Sequence, residues 1–487
     1  MKNQVQLITY IDRLGKGDIR TLERVLSGPL KGLFGGIHML PFFTPFDGAD
    51  AGFDPSNHAQ VDPRLGDWQD IKRLSGQAEL MVDLIVNHVS SESPQFQDVL
   101  AKGEQSEFNK LFLTMSSVFP NGATEQQICN IYRPRPNLPW SMIKLADGST
   151  RLFWTTFTAQ QIDIDVESEQ GQQYLLNILK EFHQAGISTI RLDATGYAIK
   201  RPDTSCFMIP ETFDFIAQLT EQARALNIEV LVEIHSYYQT QIEIAAKVDR
   251  VYDFALPPLV LHTLFNKDAA PLLQWFNVSP RNCITVLDTH DGIGVIDVGA
   301  DNGRSGLLAP QQIDDLVEQI HRHSNGESRL ATGAAASNLD LYQVNCSFYD
   351  ALGKNDQLYL IARAIQFFAP GIPQVYYQGL LAGKNDMELL ATTKVGRDIN
   401  RRYFSEQDIE AHIQQPVVQK LFELIRIRNE APEFNGLFSF ESTANHEFVL
   451  SWQLNDSTIS LAVDLNQSQA IIFTAKNAEP SHDIWKI

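Results

Sequence analysis

Ionisable or amide side chains stand at or beyond the ends of several short apolar segments of the sequence. The residues concerned are Asp50, Asn87 and His88, Arg191 and Asp193, Glu233 and His235, and His290 and Asp291. Carboxylates and imidazoles transfer protons, and carboxylates act as nucleophiles, in many enzymes. A single carboxylate at a strand end more often caps a helix or forms a turn. A set of such residues, brought together by the fold, indicates a catalytic cavity instead.

The apolar segments are typical of β-strands that alternate with amphipathic helices. Eight strands are predicted, at 5–11, 36–43, 80–88, 187–194, 228–235, 250–257, 283–290 and 373–379. Helices are predicted between most of them, for example over 172–186 and 211–227. This pattern predicts an α/β fold, the (β/α)8 (TIM) barrel, in which the carboxyl ends of all strands surround one cavity. The ionisable residues would line that cavity, whereas Asp288 would be a buried structural partner.

Two connections are much longer than the loops usual in such barrels, and the chain ends in a different pattern. An inserted domain is predicted over 89–170 after the third strand, and a second insertion over 295–365 after the seventh strand. Alternation of apolar and polar residues predicts a small antiparallel β domain over 436–487. The barrel itself would then comprise 1–88, 171–294 and 366–435.

The composition is typical of a soluble globular protein and argues against two classes of partner. The chain has 487 residues, of which 44% are hydrophobic and 20% charged, and its formal net charge is −20. Because such a charge repels phosphate backbones and anionic bilayers, neither a nucleic acid nor a membrane is expected as a partner. The four cysteines lack paired spacing, which predicts buried, reduced thiols in a cytoplasmic protein. Whether the protein is a monomer or a homodimer stays open.

Four segments resemble, in order and spacing, the signature segments of the α-amylase superfamily of retaining glycoside hydrolases and transglycosidases, glycoside hydrolase family 13. They are MVDLIVNH at 81–88, IRLDATGYA at 190–198, LVEIH at 231–235 and LDTHDG at 287–292. Within that superfamily the chain resembles the sucrose phosphorylase family over most of its length. The segments that carry this narrower resemblance include IYRPRP at 131–136, LDLYQ at 339–343 and GRDINR at 396–401.

The resemblance implies a reaction and a role for each carboxylate. Sucrose and phosphate would give α-glucose 1-phosphate and fructose reversibly, through a covalent β-glucosyl-enzyme. Asp193 would be the nucleophile, kept ionised by Arg191 on the same face of its strand. Glu233 would be the acid/base, with a raised pKa, and Asp291 would stabilise the oxocarbenium-like transition state. Retention requires the Asp193 and Glu233 carboxyls to lie about 5 to 5.5 Å apart.

The same resemblance implies the substrate contacts. Glucose would be bound by Asp50, Phe53, His88, Phe157, Gln161, Arg191, His290 and Arg397. Fructose or phosphate would be bound by Arg135, Asp340, Leu341, Tyr342 and Gln343, of which Asp340 would contact fructose. Arginine suits bidentate contacts to phosphate. No metal is needed for this chemistry, and no cofactor is expected, since phosphate is a co-substrate rather than a bound group. Asn87, near which amylases often bind calcium, is expected to brace the site through hydrogen bonds.

Three alternatives stay open. Phosphorylases of sucrose 6-phosphate, glucosylglycerol or glucosylglycerate share the catalytic half and differ mainly in the acceptor loops, where Tyr342 in an intact LDLYQ favours sucrose. A sucrose hydrolase or transglucosidase would use the same carboxylates. A binding protein built on an inactive barrel is the non-enzymatic alternative, and the presence of Asp193, Glu233 and Asp291 argues against it.

Overall fold

The computed structural model of the chain describes residues 1–134, 138–301, 303–335, 343–476 and 482–487. Eight parallel strands form a closed barrel in which each strand pairs with the next along the chain and the last pairs with the first. These strands are β1 (Gln6–Thr9), β2 (Gly36–Met39), β3 (Glu79–Ile85), β4 (Thr189–Asp193), β5 (Glu229–Val232), β6 (Arg250–Asp253), β7 (Cys283–Thr285) and β8 (Ile372–Tyr376). The predicted α/β barrel is therefore confirmed.

Several barrel strands end earlier than the apolar pattern predicts. The seventh was predicted over 283–290, but β7 pairs with its neighbours only as far as Thr285. The reason is that Val286 and Leu287 remain buried after the described strand pairing has ended, and an apolar pattern reports burial rather than strand pairing. Glu233 and Asp291 consequently lie on loops at the carboxyl ends of the strands.

Helices begin where a side chain accepts a hydrogen bond from a backbone N–H of the first turn, or where a proline, which has no N–H, occupies that turn. Ser168 accepts a hydrogen bond from the backbone N–H of Gly171, and Pro210 occupies the first turn of the next helix, so both helices begin earlier than predicted. The helices of eight or more residues are Ile19–Ser27, Trp68–Ser75, Pro94–Lys102, Glu169–Gln184, Pro210–Ala225, Tyr238–Ala245, Leu256–Asn266, Ala270–Val278, Pro310–His323, Glu327–Ala335, Asp356–Phe368, Glu406–Ile413 and Pro416–Glu430. Shorter helices are Ala49–Gly52, Met115–Val118, Glu125–Asn130, Phe348–Ala351, Tyr377–Leu380 and Met387–Thr393. The 3-10 turns are Gly103–Gln105, Thr195–Tyr197, Ile296–Val298, Gly396–Asn400 and Pro432–Asn435.

Short strand pairs tie the two long connections to the rim of the barrel. After β3, His88–Ser90 pairs antiparallel with Gln161–Asp163, which brings the ends of the connection together. After β7, Ile293–Gly294 pairs antiparallel with Gln343–Val344. The remaining two-stranded pairs are Trp140–Lys144 with Thr150–Trp154, Phe43–Thr44 with Asn57–Val61, and Leu14–Gly15 with Phe404–Ser405. The pairs formed by His88–Ser90 and by Ile293–Gly294 place segments of both long connections beside the carboxyl ends of the barrel strands.

The C-terminal segment forms a five-stranded antiparallel sheet, as its alternating pattern predicts. Its strands are Leu437–Ala444, Glu447–Leu454, Ser457–Asp464, Gln469–Lys476 and His482–Lys486, in that order. Leu450, Leu461 and Ile472 on the inner face are fully buried. Trp452 donates a hydrogen bond from Nε1 to the backbone oxygen of Phe368, at 2.8 Å, and so joins the sheet to the helix before β8.

The cysteine prediction is correct for three residues and wrong for one. Cys206, Cys283 and Cys346 are buried, whereas Cys129 is exposed because no side chain of its short helix, Glu125–Asn130, is buried. All four are free thiols. Among the described residues, no helix has both the length and the apolar character needed to cross a bilayer.

Gly436, between the last 3-10 turn and the C-terminal sheet, has no room for a side chain. A β-carbon there would overlap the backbone oxygen of Gln453, which cannot rotate away. We expect Gly436→Ala to lower the free energy of unfolding by about 1–3 kcal/mol, the usual cost of overpacking, as measured by chemical denaturation. Gly76→Ala is the matched control, because its β-carbon would lie 3.3 Å from the nearest atom, the backbone oxygen of Arg73. Equal stability of the two variants would contradict this assignment.

Candidate active site

Three carboxylates converge at the carboxyl end of the barrel. Asp193 is the last residue of β4, Glu233 follows β5 directly, and Asp291 lies in the loop after β7. Arg191 joins the first two, since its Nη1 lies 3.0 Å from Asp193 Oδ1 and its Nη2 lies 3.6 Å from Glu233 Oε1. One side-chain ligand atom each of Glu233, His235 and Asp291 lies within 4.8 Å of the other two. The acids predicted from strand ends therefore share one site.

Arg191 is held in place by Asp83, a residue of the neighbouring strand to which the sequence analysis gave no role. Asp83 of β3 is its register neighbour, and Asp83 Oδ1 lies 2.5 Å from Arg191 Nη1. The other oxygen of Asp83 lies 3.0 Å from His38 Nε2. All three side chains are almost completely buried, so the guanidinium between Asp193 and Glu233 has a fixed position. Asp83 lies within MVDLIVNH, but its role depends on the neighbouring strand.

The electrostatics differ between the acids. Burial raises the pKa of Asp193 well above its usual value, while Arg191 opposes this shift and Glu233 adds to it. This differs from the expectation that Arg191 keeps Asp193 ionised, because burial, to which the charges of Glu233, Asp83 and Asp291 add, outweighs the effect of Arg191. Burial also opposes the ionisation of Asp291, but there the nearby cations, Arg397 foremost, hold the pKa below its usual range.

Two arginines of GRDINR neutralise the outer carboxylates. Arg397 Nη1 lies 2.9 Å from Asp291 Oδ1 and 3.1 Å from Asp50 Oδ2. Arg401 was missed from the sequence, although it belongs to the same segment. It is fully buried, donates from Nε to the backbone oxygen of His290 at 2.9 Å, and lies 3.6 Å from Asp50 and 4.0 Å from Asp291. Its buried position, which no local pattern reveals, distinguishes it from a surface arginine.

The predicted glucose-binding residues form a connected wall beside the carboxylates. His88 Nε2 lies 3.1 Å from Gln161 Nε2 and 3.1 Å from the backbone oxygen of Phe53. The ring of Phe157 packs edge-on against His88 at 5.3 Å between centroids, and Phe53 stacks on His290 at 4.9 Å. Burial lowers the pKa of both imidazoles, that of His290 to about 3. The two histidines are therefore neutral hydrogen-bonding groups at physiological pH.

Asn87 braces the site through a lysine. Its Oδ1 accepts a hydrogen bond from Lys200 Nζ at 3.0 Å, and the same Nζ lies 2.8 Å from Asp163 Oδ2. Lys200 was not predicted as part of the site. This arrangement supports the bracing role expected of Asn87, because the protein's own ammonium group lies against its amide oxygen.

Within the described part of the chain, one group of side chains has the spacing of a metal site: Glu233, His235 and Asp291. Guanidinium groups already lie against two of its members, since Arg191 is 3.6 Å from Glu233 and Arg397 is 2.9 Å from Asp291. Both carboxylates thus already have a cationic partner in the protein, and a dication would compete with these arginines. The donor set does not fit a resident metal.

The acceptor side is only partly within the described residues. Gln343 is described, and its Nε2 lies 3.5 Å from His235 Nε2 while its Oε1 accepts a hydrogen bond from Gly292 N at 3.3 Å. Arg135, Asp340, Leu341 and Tyr342 lie outside the described residues. His235 stood among the strand-end residues but was given no role from the sequence, and its contact with Gln343 places it beside the predicted acceptor loop.

Comparisons with known proteins agree with this architecture. Residues 27–256 match the α-amylase family, catalytic domain. A sucrose phosphorylase of Agrobacterium vitis is 62% identical, over 97% of this chain and 97% of the relative. A sucrose phosphorylase of Bifidobacterium adolescentis is 55% identical, over 95% of this chain and 92% of the relative. The crystal structure of sucrose 6F-phosphate phosphorylase from Thermoanaerobacter thermosaccharolyticum superposes with a TM-score of 0.92 at 39% identity, covering 100% of this chain and 98% of that one.

The chain belongs to the α-amylase family and, within it, to the sucrose phosphorylases and their phosphorylase relatives.

Proposed function

We propose that this protein is an enzyme that transfers the glucosyl group of sucrose to phosphate, reversibly and with retention of the α configuration. The reaction gives α-glucose 1-phosphate and fructose. The placement of the Asp193 and Glu233 carboxylates on either side of one guanidinium carries the proposal for the mechanism. The choice of sucrose rests on the two relatives at 62% and 55% identity, whereas the sucrose 6(F)-phosphate phosphorylase of Thermoanaerobacterium thermosaccharolyticum is 40% identical.

The first half of the reaction breaks the bond between glucose and fructose. A carboxylate oxygen of Asp193 attacks the anomeric carbon from the β face, and the electron pair of the glycosidic bond passes to the fructose oxygen. Glu233 donates its proton to that oxygen, so that fructose leaves as a neutral alcohol. Glu233 adds to the raised pKa of Asp193, so the ionisation of Asp193 is coupled to its neighbour, and the reaction requires one proton between the two carboxyls. That proton must reside on Glu233 when sucrose reacts.

The second half transfers glucose to phosphate. Glu233, now ionised, accepts a proton from the attacking phosphate, whose oxygen bonds to the anomeric carbon from the α face. The ester bond to Asp193 breaks and its electron pair returns to the carboxylate. Asp291 stabilises the positive charge that develops on the sugar in both steps, because its low pKa keeps it ionised. Two inversions at one carbon give net retention.

Product analysis with and without phosphate tests this function. Incubation with sucrose and phosphate is expected to give α-glucose 1-phosphate and fructose in equal amounts, and NMR distinguishes the α from the β anomer. Omission of phosphate is expected to leave only slow release of free glucose. Equal release of free glucose under both conditions would identify a hydrolase, and β-glucose 1-phosphate would contradict the two-step mechanism. Sucrose 6-phosphate, tested in parallel at equal concentration, is expected to be the poorer substrate.

A further inference from the structure

A buried histidine–aspartate pair lies behind the acid/base residue and takes no part in the mechanism above. His235 Nδ1 lies 3.0 Å from Asp297 Oδ2, and both side chains are almost completely buried. Asp297 belongs to the 3-10 turn Ile296–Val298, at the start of the connection after β7. The pair therefore joins the loop that carries Glu233 to the connection that carries the predicted acceptor residues.

The position of Asp297 is fixed by further contacts. Its Oδ1 accepts hydrogen bonds from the backbone N–H of Ser236 at 3.1 Å and from Gln241 Nε2 at 2.7 Å. A β-carbon at Gly294 would lie 2.9 Å from Asp297 Oδ2 and 3.3 Å from the His235 ring, so a side chain there would push into the pair. A buried carboxylate with three partners orients whatever it binds.

The orientation of the His235 ring is fixed by stacking as well as by its contact with Asp297. Its ring stacks on Phe254 with 3.8 Å between centroids and 12° between planes. Because Asp297 accepts a hydrogen bond, Nδ1 carries a proton, and Nε2 is directed to the acceptor side, 3.8 Å from Glu233 Oε1 and 3.5 Å from Gln343 Nε2. A hydrogen-bond donor directed from Nε2 would meet an incoming oxygen next to the acid/base.

Positive charge beside Glu233 would favour a phosphate acceptor over a neutral one. The chain carries a net charge of −20, and a phosphate anion must approach Glu233 and Asp291. Among the described residues, Arg191 and Arg397 each already contact two carboxylates or more. A protonated His235 would supply charge that these arginines do not.

We propose that Asp297 is a positioning residue that holds His235 as an imidazolium directed at the acceptor, and that this favours phosphate over water and neutral alcohols. The inference rests on the proposed function. Among the residues that the structure describes, the charged groups with the largest effects on the pKa of His235 are Asp297, Glu233 and Asp291, all of them acids. Burial opposes the charged imidazole, but Asp297 and then Glu233 raise the pKa of His235 above its usual value. Loss of Asp297 removes the larger of these two carboxylate effects.

The test compares Asp297→Asn, His235→Gln and the double variant with the wild type, using inorganic phosphate as acceptor. Asp297→Asn is expected to lower kcat/KM for phosphate about tenfold, the effect of losing one charge-assisted hydrogen bond, and to raise the ratio of free glucose to glucose 1-phosphate. If Asp297 acts through His235, the double variant will match His235→Gln alone. Additive losses, or a change in Asp297→Asn below twofold, would overturn the inference.

The pH dependence separates positioning from a structural role. The protonated imidazole is the active form, so a lower pKa of His235 in Asp297→Asn is expected to move the alkaline decline of kcat/KM for phosphate to lower pH. Dividing the variant's profile by the wild-type profile cancels the titration of phosphate itself. Asp350→Asn is the matched control: Asp350 is also a fully buried carboxylate of the connection between β7 and β8, bonded to Ser347 and to the backbone N–H of Asn385.

The control variant is expected to lose stability while keeping the wild-type product ratio and pH profile. If Asp297→Asn behaves like Asp350→Asn in every measurement, the positioning role is wrong. If the wild type forms no glucose 1-phosphate from sucrose and phosphate, the proposed function fails before the inference is reached, so the two failures are distinguishable.

Discussion

Replacement of Asp193 by alanine is expected to lower the rate of phosphorolysis by at least about 10⁴-fold, since the loss of a catalytic nucleophile has effects of this size or larger. No other described carboxylate can take its place: Glu233 is needed for proton transfer, and Asp291 is held by Arg397 at 2.9 Å. Steady-state release of fructose from sucrose and phosphate measures the loss. Thermal unfolding of the variant should stay close to that of the wild type, because Asp193 lies at the open end of the barrel and Arg191 keeps its contact with Asp83.

Azide distinguishes the nucleophile from the acid/base. With α-glucosyl fluoride, whose fluoride leaves without strong acid assistance, Glu233→Ala is expected to form the glucosyl ester, and azide should then give α-glucosyl azide. In Asp193→Ala azide takes the place of the missing carboxylate and attacks from the other face, so β-glucosyl azide is expected. NMR identifies the anomers, and the two variants serve as controls for each other. The same anomer from both variants would show that the roles are assigned wrongly.

Among the substitutions proposed for this protein, removal of Arg363 is expected to cause the largest loss of stability. Its Nη2 lies 2.8 Å from both carboxylate oxygens of Asp288, and the two side chains are 0% and 2% exposed. Burial raises the pKa of Asp288 even though Arg363 opposes the shift. Arg363→Met would leave this carboxylate without its cation in the protein interior, which typically costs about 3–5 kcal/mol. The sequence placed Asp288 as a buried structural partner, and Arg363 is the residue with which it pairs.

The loss can be assigned to the ion pair with two further variants. Asp288→Asn combined with Arg363→Met removes both charges and is expected to recover part of the stability, as judged by denaturant and thermal unfolding. Arg329→Met is the exposed control: its partner Glu318 lies 2.6 Å away, but both side chains are more than half exposed, so the expected loss is within about 1 kcal/mol. A loss in Arg363→Met no larger than in Arg329→Met would contradict a stabilising buried pair.

The strand and helix pattern could be predicted from the sequence because it depends on local information. Burial on both faces produces the continuous apolar strands, and one buried face produces the helical repeat of the intervening segments. Eight such units have a parallel barrel as their natural closed arrangement, which places the ends of all strands at one cavity. For this reason Asp193, Glu233 and Asp291, which belong to three different strands and their following loops and are remote from one another in sequence, could be assigned to one site. The residue at which each strand ends could not be predicted, because buried apolar residues continue beyond the last paired residue.

What the sequence by itself determined is the barrel and the identity of the acids at its rim. Only the tertiary structure decided which partners hold the residues of the site: Asp83 contacts Arg191, Arg401 lies near Asp50, and Asp297 contacts His235. The direction of each pKa shift was also decided there, and for Asp193 it is opposite to that expected from Arg191 alone. The physical reason is that hydrophobic periodicity repeats along the chain, whereas Coulomb interactions and desolvation depend on distances between residues that are remote in sequence.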